Sequence, residues 1–197
     1  MLLKQSYLNC KVYVQLSDGK IMPILGFGTW QSNGTDAYRS VKTAIETGYR
    51  HIDTALAYEN EKEVGRAIHD MIQSKKVRRD ELFVVTKVWN TFHSKANAIK
   101  GVNISLTNLG LKYIDLVLIH WPFGFKEGDD LRPHDDHNNI IFSDIDYLET
   151  WQGLEQVHNQ GFVRSIGVSN FNSKQLERVI KNSKVKPVIN QVIESST

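Results

Sequence analysis

Residues Tyr113 to Trp121 read YIDLVLIHW, an apolar run interrupted only by Asp115 and closed by His120. A strand with one wet face alternates apolar and polar residues, so an unbroken run describes a strand covered on both faces, as in a parallel sheet. Five further runs share this character: MPILGFGTW (22–30), RHIDTA (50–55), LFVVTKVW (82–89), VRSIGVSN (163–170) and PVINQV (187–192). Helical spacing fills the intervals, through Ala37, Val41, Ala44 and Ile45, then Val64, Ile68, Met71 and Ile72, then Ile99, Val102, Leu106 and Leu109. Leu148, Trp151 and Leu154 continue the series, followed by Leu176, Val179 and Ile180. Gly48, Gly110 and Gly161 each precede an apolar residue where a helical pattern stops, the place for a residue tolerant of positive φ.

Strand-helix alternation with right-handed crossovers leaves two architectures, a doubly wound open sheet or a (β/α) barrel. Ahead of the alternation, VYVQLSDGKIMPIL (12–25) predicts a β-hairpin turning at Asp18 and Gly19, a lid for one end of the sheet. The segment Phe123 to Tyr147 is far longer than an ordinary connection and is expected to be a substrate-side loop.

At 197 residues the chain can bury a core as one domain. Its 24 Lys and Arg nearly balance 22 Asp and Glu, with no basic run, which argues against a nucleic-acid partner and for a small molecule. No apolar leader core and no stretch of 18 apolar residues is present, so the expectation is a cytoplasmic protein with no membrane span. The single cysteine, Cys10, excludes an internal disulfide and reads as a small hydrophobe.

Polar residues recur near the C-terminal ends of the runs: Asp53, Lys87, His120, Ser169 with Asn170, and Gln191. Parallel strands gather those ends on one face, where barrels and open sheets build their sites. Asp53 and Tyr58 stand five residues apart in GYRHIDTALAYENEKEVG (48–65), at the seam between a strand and a helix. Together, Asp, Tyr, Lys and His point to acid catalysis of carbonyl reduction. A phenol with a free pKa of about 10 needs a nearby cation to favour its anion. Lys87 can supply that charge, Asp53 can hold the lysine charged, and His120 can donate a hydrogen bond to the substrate oxygen.

GYRHIDTALAYENEKEVG, TKVWNTFH (86–93), DLVLIHWP (115–122) and SIGVSNFN (165–172), in this order, make the chain resemble the aldo-keto reductase family from about Val12 to Val192. The resemblance implies a (β/α)8 TIM-barrel type fold, here incomplete and fronted by the hairpin. It implies an NADPH cofactor, a small-molecule carbonyl substrate, a monomeric full-length form and a tetrad of Asp53, Tyr58, Lys87 and His120, with Tyr58 the general acid. Ser169, Asn170 and Gln191 are then expected to hold the nicotinamide carboxamide, Thr29, Trp30 and Asp53 to lie beside the cofactor, and Trp30, Trp89 and Trp121 to line the substrate pocket.

Two other patterns are set aside. GFGTWQ (26–31) starts like a dinucleotide-binding glycine loop but has Gln31 at the third glycine position, so a tight turn at the barrel rim is expected. HDDH (134–137) lies in the long polar loop, and no metal is expected there. Against the family's eight strands the sequence offers six, and NQVIESST (190–197) departs from the family's usual continuation. The expectation is therefore a single barrel domain, 1–197, truncated before its last two strands and lacking much of the dinucleotide site. The alternative is a catalytically silent product that acts by association through its exposed strand edges.

Overall fold

A computed structural model describes residues 12–193; Cys10 lies outside them. Strands β1 (Tyr13–Gln15) and β2 (Ile21–Pro23) form the antiparallel hairpin. It turns at Asp18 and Gly19, where Gly19 has φ of 83°. Leu16 and Met22 are buried against Phe83, Val85, Leu116 and Leu118, and Ser165 Oγ donates to Asp18 Oδ2 at 2.6 Å. The hairpin thus closes one end of the sheet.

The alternation follows as β3 (Phe27–Gly28), α1 (Gly34–Glu46), β4 (His51–Asp53), a 3-10 turn at Leu56–Tyr58, α2 (Glu61–Gln73), β5 (Phe83–Val88), α3 (Lys95–Leu109) and β6 (Ile114–Ile119). A ribbon of β7 (Gly124–Phe125) and β8 (Phe142–Ser143) precedes α4 (Tyr147–Asn159), β9 (Val163–Ser169), α5 (Ser173–Asn182) and β10 (Asn190–Gln191). Six strands pair in the order β10-β9-β6-β5-β4-β3, every pairing parallel. The sheet curls, so a barrel rather than an open sheet is the architecture, present as an incomplete (β/α)8 fold.

Alternation along β5 sets the layers. Phe83 and Val85 join the inner cluster with Leu116 and Leu118, while Val84 and Val88 join the outer core beneath the helices. All six residues are buried, the two-sided covering read from the apolar runs. The three helix-ending glycines have φ of 108°, 63° and 81° at Gly48, Gly110 and Gly161.

Three readings need correction. The run 22–30 is two elements, because Met22 and Pro23 belong to the hairpin and only Phe27 and Gly28 pair with β4. Gly26 marks the bend: a Cβ there would meet the His51 ring at 2.8 Å. In the last run only Asn190 and Gln191 form a strand, since Pro187 has no N–H to give the ladder, although Val188 N still donates to Ile166 O at 3.0 Å. Ile180 is 41% exposed rather than buried, and Val179 is the fully covered residue of α5. No helix among the described residues is long and apolar enough to cross a membrane.

Candidate active site

Three adjacent strands bring three of the expected residues together. Asp53 ends β4, Lys87 lies in β5 and His120 follows β6, with Asp53 opposite Val85 and Lys87 opposite Leu118 in the register. Lys87 Nζ has three donors and spends each one: on Asp53 Oδ1 at 2.6 Å, Thr54 O at 3.0 Å and Tyr58 Oη at 3.4 Å. Tyr58 reaches this point from the 3-10 turn, which stops at Glu59 with φ of 55°. Its ring meets that of His120 edge to face at 5.8 Å, and Trp89 meets His120 from another side at 5.0 Å.

The electrostatics depart from the expectation in one respect. Burial, followed by the Asp53 carboxylate, pushes the Tyr58 phenol above its ordinary value rather than below it. Asp53 takes the ammonium at 2.6 Å while the phenol stands at 3.4 Å, so Tyr58 meets an ion pair instead of a bare cation. Burial also lowers Lys87, against the pull of Asp53. For His120, burial and the charge of Lys87 together bring the imidazole down to about 3, so it is neutral at neutral pH. Its Nδ1 is buried with no partner among the described residues.

The three residues expected at the carboxamide, Ser169, Asn170 and Gln191, lie together at the ends of β9 and β10, and they bond to one another. Ser169 Oγ donates to Gln191 O at 2.7 Å, and Asn170 Nδ2 donates to Ser169 Oγ and His120 O, each at 3.0 Å. Asn170 holds φ of 62°, a conformation Asn tolerates better than most residues. Thr29 is fully buried, its Oγ1 3.2 Å from Asp53 O. Trp30 is 64% exposed and makes no ring contact among the described residues. The expected rim turn is present, with Ser32 N bonded to Thr29 O and Gln31 at φ of 62°.

Trp89 and Trp121 begin an aromatic wall that continues through Phe123, Phe125 and Phe142. The sequence does not mark the three phenylalanines, because they sit in or beside a loop of otherwise polar composition. That loop lies at the tetrad's end of the sheet: Trp89 Nε1 donates to Leu131 O at 2.7 Å and Phe125 N to Asn90 O at 2.8 Å. Glu127 anchors it to the start of α3 by accepting from Ser94 N at 2.8 Å. At HDDH, Asp135 instead organises a turn by accepting from the N–H groups of His137 and Asn139, and among the described residues no three His, Cys, Asp or Glu form a metal cluster.

A curled parallel sheet with this quartet gathered at the C-terminal ends of its strands defines an α/β-barrel protein. Residues 24–195 match the model of the aldo/keto reductase family, and the chain belongs to that family. It is 43% identical over 180 residues to aldo-keto reductase family 1 member A1-A of Danio rerio, covering 91% of this chain and 56% of that protein. It is 46% identical over 185 residues to aldo-keto reductase AKR2E4 of Bombyx mori, covering 91% and 56%. Among solved structures, the aldose reductase of Schistosoma japonicum superposes with a TM-score of 0.91 at 36% identity, over 93% of this chain and 61% of that one. The Bombyx mori AKR2E4 complex with NADP gives 0.82 at 42%, over 93% and 58%. The chain thus spans well under two thirds of the length of these relatives.

Proposed function

We propose that the chain carries the catalytic half of an NADPH-dependent reductase that converts aldehydes or ketones to alcohols. The observation that carries this reading is Lys87 Nζ, held by Asp53 and Thr54 and turned to the phenol of Tyr58 beside a neutral His120. The AKR2E4 relative in complex with NADP supports the choice of cofactor.

The residues present fit a nicotinamide carboxamide. Ser169, Asn170 and Gln191 carry a hydroxyl and two amides at neighbouring strand ends, groups of the kind that complement one C=O and one NH2, and a bound carboxamide would take the place of bonds they make to one another and to Asp53. Bound there, the cofactor supplies the hydride. Tyr58 gives its proton to the carbonyl oxygen, and its raised pKa keeps the acid loaded before reaction. The Lys87 ammonium, held by Asp53 and Thr54, faces the negative charge left on the phenolate. His120, neutral, orients the carbonyl by a hydrogen bond and is not the proton source. Trp89, Trp121 and the phenylalanines beside them provide an apolar wall for the body of the substrate, with Trp30 at the rim.

NADPH consumption with a generic aldehyde tests the reading, with a parallel titration of nicotinamide fluorescence. Absence of both signals would overturn it.

One observation favours a second reading, association without catalysis. Among the described residues β3 pairs only with β4 and β10 only with β9, so each leaves a backbone edge open. Sedimentation separates the two.

A further inference from the structure

Asn60 stands at the N-cap position of α2, two residues after Tyr58, and is 1% exposed. An Asn at that position ordinarily accepts a hydrogen bond from the first turn of its helix, but Asn60 makes no such cap. Its polar atoms are committed elsewhere, each to a segment that bears part of the site. Nδ2 donates to Thr29 O and Ser32 O, both at 2.8 Å, which pins the rim turn after β3. Oδ1 accepts from Thr54 Oγ1 at 3.1 Å. Thr54 in turn presents its carbonyl to Lys87 Nζ at 3.0 Å.

We propose that Asn60 is a positioning residue for Lys87 and Tyr58, fixing the Thr54 carbonyl that completes the lysine's hydrogen bonds and the turn that presents the phenol. A side chain serving only the helix would spend its oxygen on α2, and one serving only the rim would have no bond to Thr54. Asn60 joins the two, so a disturbance at Thr54 moves the ammonium that faces Tyr58. This inference rests on the functional reading above for its importance, but its geometry is measurable without turnover.

The test is the titration of the Lys87 amine in the whole chain, followed by NMR of 13Cε-labelled lysine and assigned by the signal lost in Lys87→Met. The titratable groups facing Lys87 are Asp53, Tyr58, His120 and His51, and all are retained. Losing a fixed acceptor disfavours the ammonium, so Asn60→Ala and Thr54→Val should each lower the Lys87 midpoint by about half a pH unit or more, roughly threefold in proton affinity. Thr54→Ser keeps the hydroxyl and should restore the parent midpoint, which general loosening of the fold would not do. An unchanged midpoint in either folded variant overturns the proposal; if Asn60→Ala does not fold, Thr54→Val decides alone. Failure of the parent chain to consume NADPH counts against the functional reading, whereas the Lys87 midpoint decides the role of Asn60.

Discussion

Gln191 and Asp53, 138 residues apart in the chain, meet across the mouth of the curled sheet, with Gln191 Nε2 donating to Asp53 Oδ2 at 3.3 Å. The other carboxylate oxygen of Asp53 holds Lys87. One side chain therefore links the residues expected around the nicotinamide to the pair that faces Tyr58. Gln191→Ala should weaken NADPH binding about tenfold, near 1.4 kcal/mol, for the loss of one carboxamide partner. Fluorescence titration of the nicotinamide measures it, and an unchanged dissociation constant removes Gln191 from the cofactor site.

Tyr58→Phe deletes one oxygen and leaves the ring contact with His120 in place. Reduction should be abolished while cofactor affinity stays near that of the parent. Activity within tenfold of the parent, about 1.4 kcal/mol of barrier, would mean that the proton comes from elsewhere. His120→Gln keeps a hydrogen-bond donor and should retain more activity than Tyr58→Phe, with the loss in substrate recognition.

Much of this site was legible because a parallel strand advertises both its burial and its end. LFVVTKVW and YIDLVLIHW leave little for Lys87 and His120 to be except residues at a covered strand terminus. The run 22–30 misled because Pro23 and Gly26 change the chain's direction without changing its hydropathy. Asn60 was invisible for a related reason: Asn before a helix reads as a cap, and only coordinates reveal that its bonds run to Thr29, Ser32 and Thr54. The upward shift of Tyr58 was hidden because it comes first from burial of the phenol and then from the Asp53 carboxylate, and a sequence shows neither how deep the ring sits nor which charge it feels.

The buried histidines make stability depend on pH. Unfolded imidazoles take up protons near pH 6.5, whereas burial holds His93 to about 4 and His120 to about 3. Below pH 6.5 the unfolded chain binds more protons, so stability falls as the solution is acidified; above it these groups add no slope. The limit is about 1.4 kcal/mol per pH unit for each histidine. His51 acts in the same direction, and Asp115, raised by burial, opposes it. Urea midpoints at pH 7 and pH 5 should differ, and His93→Gln should flatten the difference.

Gly65 lies where α2 crosses α3, and a Cβ added there would fall on the backbone carbonyl of Leu109. Because the obstacle is main chain, no rotamer change can relieve it. Gly65→Ala should therefore destabilise the chain by about 1–3 kcal/mol despite the helix preference of Ala, and force the two helices apart. Urea denaturation checks this, with Ala44→Gly in α1 as the contrast, where the loss should be about 1 kcal/mol or more from propensity and burial.

The open edges carry the last prediction. Beyond β10, Val192 and Ile193 are 60% and 63% exposed, and before β3, Ile24 and Leu25 are 57% and 68% exposed. Among the described residues the outer edges of β3 and β10 have no strand partner, and these apolar side chains stand beside them, the combination that invites another strand. At roughly 25 cal/mol per Å² of apolar surface, covering a few hundred Å² contributes several kcal/mol, comparable with the net stability of a domain. The chain should therefore associate at about 10 µM, within the range such energies reach. Raising salt should not reverse this, because apolar contacts are not screened as ion pairs are. Val192→Lys places a charge on the β10 edge and should shift the population toward monomer, as charged edges do in natural sheets. Sedimentation velocity on parent and variant reads both effects; a parent chain that is already a compact monomer shows that these edges are covered from within the molecule.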